Sequence, residues 1–110
     1  MTNQEAFTTV VLHLRKQGRR AQEIYRCCYK CRYRAPDGCK CAIGALIPDD
    51  QYNPKLEGRT VLALTHLPAL QDLNSFLLSD LQITHDVYYP DEWEKRFEHL
   101  AGKYKREVPA

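Results

Sequence analysis

Cys31-Arg-Tyr-Arg-Ala-Pro-Asp-Gly-Cys-Lys-Cys-Ala-Ile-Gly-Ala-Leu-Ile-Pro-Asp49 joins a polar arm, a tight turn and an apolar hexapeptide within nineteen residues, and the rest of the chain reads as cover for it. Pro36-Asp37-Gly38 supplies a preset φ and a permissive one where a turn needs them. The hexapeptide 42–47 is apolar all round and stops at Pro48. Periodicity alone does not separate a buried strand from a buried helix in so short a run. Gly44 and the flanking alanines allow another backbone to approach closely, which suits a short helix at 41–47 crossing the core.

Upstream, Cys27, Tyr29, Cys31 and Tyr33 alternate with Cys28, Lys30, Arg32 and Arg34, the period of a strand, with sulfur and tyrosine on one face and cations on the other. Gly18 to Gln22 reads as a connector. Before it, Ala6, Phe7, Val10, Val11 and Leu14 recur at helical spacing, with Asn3 placed to cap and Gly18 to end the helix. Downstream, residues 49–58 are rich in turn formers, with room for one 3₁₀ turn, and one or two helical turns follow before Pro68. Leu70, Leu73, Leu77, Leu78 and Leu81 form an apolar stripe, and Trp93, Phe97, Leu100, Ala101 and Tyr104 another. Asp91 and Glu94 stand in capping-box relation to that last helix, and the tail from Glu107 is expected to fray.

These patterns predict a mainly α fold. It is a single small domain, 1–110, of three main helices at roughly 3–17, 70–85 and 91–104, plus the short buried helix and an extended or β-hairpin-like tyrosine–cysteine arm. With 44% hydrophobic and 27% charged residues the composition is ordinarily globular. No apolar run approaches the roughly 20 residues of a membrane span, and the first residues lack the pattern of an export signal, so a cytoplasmic protein with no membrane partner is expected.

Charge is uneven. Residues 1–47 carry nine Lys and Arg against three acids, a net of +6, and the remainder seven against eleven, a net of −4. The basic half concentrates at Tyr25, Arg26, Tyr29, Lys30, Arg32, Tyr33 and Arg34, a combination of residues enriched at protein interfaces. Interleaved tyrosines and cations also suit nucleic acid, although a net charge of +2 is weak for a phosphate binder. On the protein-binding reading, reversing the charge of Arg32 and Arg34 weakens a complex and leaves the fold intact.

Five cysteines in a chain read as cytoplasmic point to thiols or metal ligands before disulfides. Cys28, Cys31, Cys39 and Cys41 offer four sulfurs for zinc, but only the first pair has the usual spacing, and buried cysteine also behaves as a small hydrophobe. Cys41 at the start of the short helix is the candidate catalytic thiol, with His13, His66, His85 or His99 as base and Asp86 to orient it. An apolar run following Cys41 favours an inert buried sulfur instead.

The wording C-x-Y-R-x-P-x-G-x-K-C-A-I-G-x-L-I-P-D, continued by Tyr52, Pro54, Glu57 and Gly58, resembles a family of small bacteriophage and bacterial proteins with no assigned reaction. The likeness covers about a quarter of the chain closely, and Cys27, Cys28 and Cys39 fall outside it. It implies a phage or prophage accessory role, and it weakens a four-cysteine metal site. The expected function is therefore non-catalytic, the binding and modulation of a bacterial host protein. A zinc-stabilised nucleic-acid-binding module is the alternative, and a cysteine-dependent enzyme the third reading.

Overall fold

A computed structural model describes residues 1–25 and 28–110, Tyr25 by its backbone alone. The first helix, α1 (Asn3–Gln17), is capped by Thr2 rather than Asn3. Thr2 Oγ1 accepts from the Glu5 N–H and Glu5 Oε1 accepts from the Thr2 N–H, a reciprocal box that satisfies two orphan donors. Asn3 is used elsewhere: its side-chain oxygen accepts from the N–H of Asn74, 2.8 Å away. Gly18, at φ +67°, ends the helix as expected, and the apolar face Ala6, Phe7, Val10, Val11, Leu14 is buried.

The arm is a hairpin. Strand β1 (Gln22–Tyr25) pairs antiparallel with β2 (Cys28–Cys31), Ile24 opposite Tyr29 and Glu23 opposite Lys30. The connector expected at its start runs directly into β1, and the expected strand through Arg34 stops at Cys31, because Arg32 onward turns into the core. Cys27 lies outside the described residues. The turn at Pro36-Asp37-Gly38 is present: the Ala35 N–H donates to Cys39 O and the Cys39 N–H to Asp37 Oδ1, with Gly38 at φ +91°. It sets Arg34 opposite Lys40 as an isolated antiparallel bridge.

The hexapeptide is interior, with Ala42 and Ile43 fully buried and Ile47 2% exposed. It is not an α-helix, however. Only Gly44–Leu46 forms a 3₁₀ turn, since Pro48 cuts the segment short and Gly44 lies against the Tyr33 main chain. A second 3₁₀ turn at Pro54–Leu56 and a single helical turn, α2 (Val61–Leu64), follow.

The leucine helix, α3 (Ser75–Val87), begins five residues later than the leucine stripe suggests. Asn74 is the reason: its Oδ1 accepts from the N–H groups of Phe76 and Leu77. Leu70 and Leu73 are still buried, but by successive tight turns whose i, i+3 spacing mimics a helix. The last helix, α4 (Trp93–Tyr104), is entered through a 3₁₀ turn at Pro90–Glu92, where Glu92 accepts from the Tyr89 N–H. Glu94, expected in a capping box, instead reaches Arg15 of α1 at 2.7 Å. The tail is held rather than frayed: Arg15 donates to Pro109 O, and Gln4 exchanges two hydrogen bonds with Glu107.

Helix α1 packs on the 44–46 turn and on α3, α3 packs on α4 and α2, and the hairpin projects from this helical body. The fold is thus mainly α with one small two-stranded hairpin. No helix among the described residues is long and apolar enough to cross a membrane.

Candidate functional site

Arg32 and Arg34, two cations of the expected surface, are turned inward. Arg32 bonds Glu23 at 2.5 Å and lies 3.4 Å from Glu57. Arg34 donates to Ile47 O, pairs with Asp49 at 2.8 Å and stacks on Tyr52 at 4.4 Å. Tyr33 is buried, with its hydroxyl donating to Arg59 O at 2.6 Å. The N–H groups of Tyr33 and Arg34 both donate to the carboxylate of Glu57, a side chain only 6% exposed. Of the seven expected partner-binding residues, Tyr29 and Lys30 are exposed, Tyr25 is described by its backbone and Arg26 lies outside the described residues. Charge reversal at Arg32 or Arg34 would therefore break an internal clamp rather than probe a surface.

The cysteines also separate. Cys28 is exposed, Cys31 half-buried, and Cys39 and Cys41 buried. Cys28 and Cys31, three apart on β2, point to opposite faces of the hairpin. Cys41 accepts from the Gly44 N–H at 3.2 Å, and burial pushes its thiol up to about 12, the reverse of an activated nucleophile. Burial, with the neighbouring Asp86 carboxylate, raises Cys31 as well. Among the described cysteines, alkylation of the folded protein at neutral pH should accordingly label Cys28 first, Cys31 more slowly, and Cys41 only on unfolding. Mass spectrometry of a time course reads this, and labelling of Cys41 at the Cys28 rate would contradict it.

Among the described residues, the candidate metal ligands that do converge are Cys31, His85 and Asp86, all within 4.8 Å of one another, rather than four cysteines. The hydrogen bonds around His85 define what this cluster does. Its Nε2 accepts from the N–H of Ala21 at 2.9 Å, so the ring proton sits on Nδ1, which donates to Asp86 Oδ1 at 2.6 Å. Ligation through Nδ1 would move that proton to Nε2, directly against a backbone donor whose residue is fully buried. The same lock removes His85 as a base for Cys31. Both imidazole nitrogens are thus engaged by the protein itself, and the ring ties α3 to the start of the hairpin, stacked on Trp93 at 6.0 Å. The Asp86 carboxylate also accepts from Gln82 Nε2, while Gln82 Oε1 takes the Ile43 N–H.

Beside this tie lies a two-part cleft between the 57–62 segment and α3. A polar chamber of about 190 Å³ is lined by Cys31, Tyr33, Glu57, Arg59 and Asp86. Through Thr60, Val61, Gln82 and Asp86, which line both parts, it adjoins an apolar groove of about 330 Å³ that adds Leu62, Ile83 and Val87. Strand alternation puts Tyr29 on the same hairpin face as Cys31, with Ile24 opposite it in register. Tyr29 is 71% and Ile24 70% exposed, and Leu62 and Val87 on the groove rim 61% and 65%. The sequence signalled Tyr29, and Glu57 as part of the resembling motif without a role, but not Gln82, whose polarity reads as ordinary helix surface. No family model, curated protein or solved structure matches this chain.

Proposed function

We propose that this chain is a non-catalytic accessory protein, of the phage type its central motif resembles, that binds and modulates a bacterial host protein through the apolar hairpin face and the adjoining groove rim. The observation that carries this is the pairing of Ile24 with Tyr29, both about 70% exposed, on a projecting two-stranded hairpin. An isolated hairpin is marginal in water, and aromatic and apolar anchors on a presented surface are what partner burial rewards. A standard interface takes roughly 800 Å² from each partner, about an eighth of the 6612 Å² surface of this chain. Against nucleic acid weighs the internal use of Arg20, Arg32 and Arg34.

Affinity capture from bacterial lysate, with and without nuclease, tests this directly. A protein should be retained after nuclease treatment, and Ile24→Asp with Tyr29→Asp should abolish retention with the melting temperature unchanged. Retention of the same protein by that variant, or loss of all retention on nuclease treatment, would contradict it.

A further inference from the structure

The proposed binding face leaves open what enters the cleft, and the charges around it bear on that. Asp86 sits where the polar chamber meets the apolar groove, one-third exposed, and its close titratable neighbours among the described residues are the Cys31 thiol and His85, whose Nε2 accepts from the Ala21 N–H, with no lysine or arginine paired to it. Two of the nearby cations are committed elsewhere. Arg32 is neutralised by Glu23 and Glu57, and Arg20 is spread over the carbonyls of His85 and Tyr88. Glu57, the other carboxylate of the chamber, already accepts from two backbone N–H groups and the Tyr52 hydroxyl. Gln82 and the His85 Nδ1–H hold the Asp86 carboxylate in place, so a cation arriving there meets a preset acceptor.

The groove beside it is apolar and, at about 330 Å³, lies at the lower end of ligand-pocket volumes, room for one or two side chains rather than a large cofactor. We infer that the cleft docks a polypeptide segment of the partner in which one or two aliphatic residues lie next to a lysine or arginine, the aliphatic side chains against Ile83, Leu62 and Val87 and the cation on Asp86. The inference rests on the binding function proposed above and names the chemistry of its partner. Arg59, which also lines the chamber, would compete with the incoming cation.

A defined peptide tests this without knowledge of the partner. A short Gly/Ser peptide carrying Leu-Leu-Arg, and its Leu-Leu-Glu and Ser-Ser-Arg counterparts, are titrated into the ¹⁵N-labelled protein and followed by NMR. The first should shift amides of 61–62 and 83–87 saturably, and both counterparts should bind about tenfold or more weaker. Asp86→Asn, which keeps an acceptor for His85, should erase the preference for arginine over glutamate. Ile83→Asp, on the exposed side of α3, should remove the shifts, and Arg59→Ala should leave binding equal or tighter. Equal binding of the arginine and glutamate peptides, or shifts that survive Ile83→Asp, would overturn the inference. Partner capture that depends on Tyr29 but is untouched by Ile83→Asp and Asp86→Asn would overturn it too, with the binding function left standing. Loss of the binding function itself would show in the lysate experiment, independently of the titration.

Discussion

Glu57→Ala is expected to remove about 3–5 kcal/mol of folding stability, the range for deleting one partner of a buried, hydrogen-bonded charge cluster. The carboxylate accepts from the Tyr33 N–H at 2.9 Å, the Arg34 N–H at 3.1 Å and the Tyr52 hydroxyl at 2.7 Å, and faces Arg32 at 3.4 Å. Its loss strands two main-chain donors and leaves Arg32 short of one counter-charge. Asp49→Ala is the internal comparison. Asp49 pairs with Arg34 but is 90% exposed, so its removal should cost no more than about 1 kcal/mol. Urea unfolding reads both. Similar midpoints for the two variants would mean that Glu57 is not the clasp described here.

Gly44→Ala should be comparably damaging. A Cβ on residue 44 would lie 2.0 Å from the carbonyl oxygen of Tyr33 and 2.8 Å from its carbonyl carbon. Those atoms are main chain, and that oxygen also accepts the Cys41 N–H, so the neighbour cannot swing away as a side chain would. The cost falls at or above the upper end of overpacking penalties, about 3 kcal/mol. Gly102→Ala has the opposite sign. Gly102 lies within α4 with nothing near its missing Cβ, so alanine should stabilise by about 1 kcal/mol through helix propensity. Thermal melts of the two variants should move in opposite directions. A Gly44→Ala protein as stable as the parent would remove the close approach from the account.

Glu57 and Gly44 both belong to the Cys31 to Gly58 motif that dominates the sequence, and this explains what was legible there. Helix α1 could be read almost to the residue, because five apolar side chains at helical spacing end at a glycine that only a left-handed cap requires. Interior placement of the hexapeptide was legible too, since a run apolar on every side has no other place to go. The start of α3 was not, because Leu70 and Leu73 keep the same spacing in tight turns, and the N-cap that decides the boundary is a single asparagine. Strand β1 was hidden because its pairing with β2 is non-local information that Gln22–Tyr25 does not carry alone.

The site was legible only in part. Cations alternating with tyrosines look like a surface until the distant Glu57 is known to fold back over them, 23 residues from Arg34 and 24 from Tyr33. The four sulfurs looked like a metal set until strand geometry sent Cys28 outward and the core took Cys41. Asp86 was offered to orient one of four histidines and bonds His85, but the role of the Ala21 N–H in locking that imidazole has no sequence signature.

The Cys31 to Gly58 motif encodes a packed clasp in which Tyr33, Arg34 and Glu57 hold the fold. Native-state amide hydrogen exchange tests it most directly. The Tyr33 and Arg34 amides should exchange only through global unfolding, at the same free energy as core amides of α3, while amides on the outer edges of the hairpin exchange far faster. Exchange of the Tyr33 and Arg34 amides at the rate of exposed loops would contradict the clasp.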